Sequence, residues 1–200
     1  MGDRQSTRNA SSALPQDRLF IVGPMAAGKS AVGRRLAARL QMPFFDTDDE
    51  IEQRTGVDID YIFEREGEAG FRRRECAVIA ELTAKQPVIL STGGGAVLAD
   101  ENRTLLSKRG LVVYLATSVR TQLARTRHSN HRPLLQTEDR GRTLEALATV
   151  RNALYESVAD LTLPTDGCTV DAVVGQLITR LKQREGLDTS TPPDAQEPSP

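Results

Sequence analysis

The sequence predicts a three-layer α/β protein, a five-stranded parallel sheet with helices on both faces. Three observations carry this reading. Short β-rich runs alternate with stretches of helical period along most of the chain, the pattern of strand–helix–strand crossovers. The octapeptide GPMAAGKS follows directly on the apolar run Leu19, Phe20, Ile21, Val22, and such a glycine turn joins a buried strand to a helix. Two hundred residues with 38% hydrophobic content form one domain with a real core.

The elements follow in order. Residues 18–22 form the first strand, and Val32, Leu36, Ala37 and Leu40 mark one face of a helix over 29–40. Between them, G-x-x-x-x-G-K-[ST] aims backbone N–H groups and a helix dipole at one point, a phosphate cradle. Its candidate nucleotide-binding residues are Gly23, Ala26, Ala27, Gly28, Lys29, Ser30 and Ala31. Lys29 reaches the outer phosphates of a nucleotide, and the Ser30 hydroxyl is a ligand for Mg²⁺. Ala26 stands where such loops often carry another glycine; a left-handed alanine there costs about 1–2 kcal/mol, which phosphate hydrogen bonds of about 1.5–3 kcal/mol each outweigh.

The second strand, 43–45, ends in Asp46, Thr47, Asp48, Asp49 and Glu50. These acids read equally as a helix cap with its first turn or as holders of a metal-bound water and an acceptor hydroxyl. In the segment 62–75, which runs into a helical stretch over 69–84, Glu68 and Arg72 are four apart and share a face, beside Phe63 and Phe71. A planar fork so aimed binds a carboxylate in bidentate fashion, whereas Arg73 and Arg74 read as solvated. The third strand, 87–92, runs into Gly93, Gly94 and Gly95, whose bare backbone lets a ligand approach closely. Ser91 and Thr92 occupy the strand end where a metal-binding aspartate is usual in such folds, which leaves Asp46 to supply the acid.

Asp100 opens a helix, and 111–115 is the fourth strand. Arg125, Arg127 and Arg132 belong to a basic stretch and loop at about 125–138 that reads as a lid over phosphates. Arg127, His128 and His131 read as solvated. The long helix 139–158 carries Arg151, on residue type alone a surface arginine; strand 161–163 and helix 170–181 complete the domain. The domain spans 18–183, and the polar segments 1–17 and 184–200 are expected to be disordered tails.

Composition excludes several classes. Twenty-six basic against 27 acidic residues give a net charge of −1, so no field favours nucleic acid or an anionic membrane. Cys76 and Cys168 lack the spacing of a disulfide framework or zinc site. With no apolar run near the ~20 residues of a membrane span, a cytoplasmic location is expected.

Together GPMAAGKS, FDTD, GFRRRE, TGGG, RPLL and RNALY occur in the order and approximate spacing that resembles shikimate kinase over about residues 18–182. The resemblance implies a three-layer P-loop kinase fold with a lid, and phosphoryl transfer from ATP to the 3-hydroxyl of shikimate, a small-molecule partner. By that resemblance Lys29, Asp48 and Arg132 are the catalytic residues. Gly28, Lys29 and Ser30 hold the phosphates and Mg²⁺, with Asp46 acting on the metal through a water. Arg72 and Arg151 clamp the shikimate carboxylate, Glu68 orients Arg72, Asp48 grips the acceptor hydroxyl, and the loop of Gly93, Gly94 and Gly95 binds the ring, the Gly94 N–H on a hydroxyl. Arg132 meets the phosphates and Arg125 lies against adenine, while Asp166 and Cys168 stand near the adenine without an assigned contact. A monomer is expected. The alternatives are another small-molecule kinase on the same scaffold, for gluconate or a nucleoside monophosphate, and a binding module without catalysis.

Overall fold

The computed structural model describes residues 17–127 and 139–188. Strands β1 (Arg18–Val22), β2 (Phe44–Asp46), β3 (Val88–Ser91), β4 (Leu111–Ala116) and β5 (Leu161–Pro164) form one sheet in the order β2-β3-β1-β4-β5, with every pair parallel. The helices are α1 (Lys29–Leu40), α2 (Thr47–Thr55), α3 (Ile59–Leu82), α4 (Asp100–Arg109), α5 (Val119–Thr126), α6 (Arg140–Val158) and α7 (Val170–Asp188), with a 3-10 turn at Ala96–Leu98. The predicted fold class is borne out.

The two-residue period of β1 divides the core. Leu19 and Ile21 pack toward α1 and α7, while Phe20 and Val22 face Ile51 of α2, Phe71 of α3, Leu106 of α4 and Tyr155 of α6. All four strand residues are fully buried, as expected of a central parallel strand covered on both faces. The neighbouring strands β1 and β3 send their chains in opposite directions, β1 through α1 to β2 and β3 through α4 to β4. A ligand crevice opens beyond the carboxyl ends of strands that part in this way.

Three helices differ from the sequence reading, and one of them, α5, has no counterpart in it. The helix expected from residue 69 starts at Ile59, where the Asp58 carboxylate accepts from the Tyr61 N–H at 2.8 Å. Its two segments meet at Gly67, whose non-helical backbone (φ 69°, ψ 179°) hides the first segment from a periodicity count. The last helix continues past the predicted end at Leu181 to Asp188. None of the described helices is long and apolar enough to cross a membrane.

Candidate active site

The loop after β1 turns on residues of unusual backbone. Gly23 has φ 144°, and a Cβ there would stand 2.6 Å from the Leu115 carbonyl oxygen, so glycine is required both for the turn and for the approach to β4. Ala26 is left-handed at φ 60°, the strained alanine the sequence anticipates. Gly28 caps α1. The Lys29 ammonium donates to the Pro24 carbonyl at 2.8 Å, lying back across the loop. Arg125 laces this loop to the segment after β5, donating to the Ala26 carbonyl at 2.9 Å and to the Thr165 carbonyl at 2.9 Å. Asp166 instead accepts from the Ser118 N–H at 3.1 Å, a set of bonds with Ser118 that holds its carboxyl below the usual range, and Cys168 packs against the core.

At the end of β2 the capping reading of the acidic cluster holds, and it uses only one of the two Asp46 carboxylate oxygens. Asp46 caps α2, its Oδ1 accepting from the Asp48 N–H at 3.1 Å. Its Oδ2 accepts from the Ser30 hydroxyl at 2.6 Å, which joins the phosphate loop to the acid predicted to serve the metal. Asp48 follows in the first turn, half-buried, with its Oδ1 beside Gly93.

Arg72 sits over the Phe71 ring, 5.2 Å from its centroid, and Phe63 and Phe71 lie 4.9 Å apart. As predicted, Glu68 orients it, accepting from Nη2 at 3.0 Å and Nε at 3.3 Å. A second carboxylate, Glu75, accepts from Nη1 at 2.6 Å. Three of the five N–H groups of a guanidinium are thus occupied among the described residues. Burial pushes the Glu75 carboxyl up, while the charges of Arg72 and Arg151 pull it back; its Oε1 has no hydrogen-bond partner among the described residues. Arg73 and Arg74 are exposed, as expected, the latter paired with Glu66.

Arg151 corrects its residue-type reading: it is buried, 7% exposed, and lines a small cavity with Pro24 and Met25 of the phosphate loop. Among the described residues no carboxylate lies within salt-bridge distance of it.

The triple glycine links these parts. The Gly93 N–H donates to the Thr47 hydroxyl at 2.8 Å, and a Cβ on Gly93 would meet Glu75 Oε1 at 2.5 Å and Asp48 Oδ1 at 2.8 Å. Gly94 packs on the Met25 backbone, and a Cβ on Gly95 would overlap the Arg72 guanidinium. Gly95→Ala therefore has a specific expected outcome. Arg72 swings away from Glu68 and Glu75, a movement a long side chain makes without unfolding the protein, and the KM for a carboxylate acceptor rises about tenfold or more while the KM for ATP holds. Steady-state kinetics in each substrate check this.

The structure thus gathers the phosphate loop, Asp46, Asp48, Arg72, Gly93, Gly94, Gly95 and Arg151 at the carboxyl edge of the sheet, with Arg125 beside them. Arg132, His128, His131 and most of the expected lid lie outside the described residues. Sequence reasoning missed Thr47, Glu75 and Tyr155, whose hydroxyl donates to the Gly94 carbonyl. Glu75 and Tyr155 are three and four residues beyond Arg72 and Arg151, spacings that share a helical face; Thr47 gives no such signal.

A phosphate loop on a 2-3-1-4-5 parallel sheet, facing a cationic acceptor pocket, defines a P-loop small-molecule kinase. Residues 25–182 match the family model for shikimate kinase. A shikimate kinase from Actinobacillus pleuropneumoniae serotype 5b (strain L20) is 56% identical over 160 residues, covering 80% of this chain and 92% of that protein. One from Haemophilus influenzae (strain PittEE) is 53% identical over 171 residues, covering 85% and 95%. The solved shikimate kinase from Acinetobacter baumannii in complex with shikimate superposes with a TM-score of 0.85 at 43% identity, covering 88% of this chain and 98% of that one. A gluconokinase from Sinorhizobium meliloti 1021, at 14% identity and a TM-score of 0.55, shares the fold alone. The chain belongs to the shikimate kinase family, and is a phosphotransferase.

Proposed function

We propose that this chain transfers the γ-phosphoryl group of ATP to the 3-hydroxyl of shikimate, giving shikimate 3-phosphate and ADP on the route through chorismate to the aromatic amino acids. Family membership supports the reaction. The observation that carries the acceptor is Arg151: a buried guanidinium without a carboxylate partner among the described residues, which an anionic ligand would satisfy. Arg72, held by Glu68 and Glu75, supplies the second arm. Together they seize the shikimate carboxylate, and the Gly94 N–H takes a ring hydroxyl. Asp48 accepts the hydrogen bond of the attacking alcohol and takes its proton. Positioning supplies most of the rate, because the transition state is loose and charge is spread over its oxygens.

The donors Ser30 and Asp46, a hydroxyl and a carboxylate 2.6 Å apart, suit a hard cation that prefers oxygen. Ser30 would hold Mg²⁺ directly and Asp46 through a water. When bound, Mg²⁺ neutralises charge on the β- and γ-phosphoryl oxygens. The lid arginine Arg132 is assigned to the phosphates and Arg125 to the adenine side by resemblance. We also read the chain as a cytoplasmic monomer acting on small molecules and on neither nucleic acid nor membrane, from its near-zero net charge and two free thiols.

The test is ADP release in the presence of Mg²⁺ with shikimate, gluconate and a nucleoside monophosphate in parallel. Turnover with shikimate alone, lost on chelation by EDTA and restored by Mg²⁺, is the expected result. Faster turnover of either of the other acceptors overturns the assignment.

A further inference from the structure

Tyr155 is 1% exposed on α6, one helical turn beyond Arg151. Its ring stacks on Tyr114 of β4, with centroids 5.1 Å apart and planes at 24°. Its hydroxyl donates to the Gly94 carbonyl, and Arg151, one turn before it on the same helix, lines the same small cavity, its charge acting on the phenol. One phenol therefore holds the middle of the triple glycine and shares a cavity with Arg151 of the proposed carboxylate clamp. The loop needs such a tie. Glycine carries no side chain to hold its backbone, and the other anchors are the Thr47 hydroxyl on the Gly93 N–H at 2.8 Å, the Ala96 N–H on the Gly93 carbonyl at 3.1 Å and the Leu98 N–H on the Gly95 carbonyl at 3.0 Å. None of them holds the Gly94 carbonyl, which takes the Tyr155 hydroxyl. Among the described residues the Gly94 N–H itself has no acceptor, so its aim toward a ligand is set by what fixes the flanking peptides. A buried phenol stacked against a strand holds a fixed position, whereas a long guanidinium on its own does not.

We propose that Tyr155 is a positioning residue for the acceptor: its hydroxyl sets the distance between the Arg151 guanidinium and Gly94, so that the carboxylate and a ring hydroxyl of one molecule are met together. This rests on the functional reading above, with a carboxylate-bearing ring polyol as the acceptor. Tyr155 touches no reacting atom; it acts on the acceptor through Arg151 and Gly94 and leaves the nucleotide side alone.

Tyr155→Phe, Arg151→Ala and the double variant are compared with the full-length wild type in steady-state kinetics, with thermal melts taken alongside. Tyr155→Phe is expected to raise the KM for shikimate about tenfold, the scale of one lost hydrogen bond to a charged group, with kcat and the KM for ATP within about twofold. Its preference for shikimate over the primary carboxamide of shikimate is expected to shrink, because a loosened Arg151 distinguishes the charge less well. In the Arg151→Ala background the same change is expected to add little. An unchanged KM for shikimate, a matching rise in the KM for ATP, or full additivity in the double variant overturns the proposal. Should Tyr155→Phe not fold, the wild type still decides. The chain has three tyrosines, so Tyr61→Phe and Tyr114→Phe identify the Tyr155 signal in a spectrum of ring-carbon-labelled tyrosine. That signal must move on saturation with shikimate and stay put with a non-hydrolysable ATP analogue alone; the reverse overturns the proposal. Failure of the wild type to phosphorylate shikimate sinks the functional reading and this inference with it, whereas normal wild-type turnover with an unaffected variant sinks the inference only.

Discussion

Replacing Arg151 by methionine is expected to lower kcat/KM for shikimate by about 10³-fold, roughly 4 kcal/mol, while leaving the free protein as stable as before or more so. The two effects have opposite signs for one reason. Arg151 is 7% exposed and has no carboxylate within salt-bridge distance among the described residues; Glu75 feels its charge but gives its bonded oxygen to Arg72 at 2.6 Å. In the ligand-free protein the guanidinium is a buried charge whose desolvation is only partly offset, and exchanging such a group for a packed apolar side chain is often neutral or stabilising. With shikimate bound, the same charge would meet its counter-ion in a low-dielectric pocket, where truncation costs most. Arg72 behaves differently, because Glu68 and Glu75 already compensate it. Arg72→Ala is therefore destabilising as well as damaging to acceptor binding. Kinetics in shikimate at saturating ATP, with melts of the ligand-free proteins, separate the two arms. A large fall in melting temperature for Arg151→Met would mean that the residue is structural.

That contrast also marks what the sequence could disclose. The phosphate loop was legible to the residue because its chemistry is local: the strand, the glycine turn and the helix are contiguous, and the left-handed Ala26 (φ 60°) follows from where the loop needs a turn. The parallel sheet and the helices on both its faces were legible from alternation, whereas the strand order β2-β3-β1-β4-β5 was not. Arg151 was not. Its neighbours in the chain are Val150, 60% exposed, and Asn152, also exposed, so only tertiary packing against the phosphate loop distinguishes it, and family resemblance stood in for that packing. Thr47 and Glu75 were hidden for the same reason: their functional partners, Gly93 and Arg72, lie on β3's exit loop and on a helix turn whose inward face periodicity does not reveal. The first half of α3 was obscured by Gly67, where the backbone leaves the helical region and starts it again.

Asp46 and Asp48 give the sharpest test of the chemistry, because they stand two residues apart with separable duties. Asp46 holds the start of α2 through the Asp48 N–H and receives the Ser30 hydroxyl at 2.6 Å. Its removal takes away a helix cap worth about 1 kcal/mol and the carboxylate proposed to serve the metal. Asp48 is in the first turn, where its charge contributes only about 0.3–1 kcal/mol through the helix dipole. Its Oδ1 faces Gly93, on the side where the acceptor would sit. Asp48→Asn keeps the shape and the hydrogen-bonding reach, and loses the ability to take a proton. Turnover is expected to fall by at least about 10²-fold, the lower scale of a lost general base, with the melting temperature down by no more than about 2–4 °C. Asp46→Ala is expected to show the larger fall in melting temperature and a weaker response to Mg²⁺. An Asp48→Asn enzyme that retained a tenth or more of the wild-type kcat would remove the base from the mechanism and leave positioning by Arg72, Arg151 and the glycine loop to account for the rate. Single-turnover measurements with shikimate prebound distinguish that outcome from a change in product release.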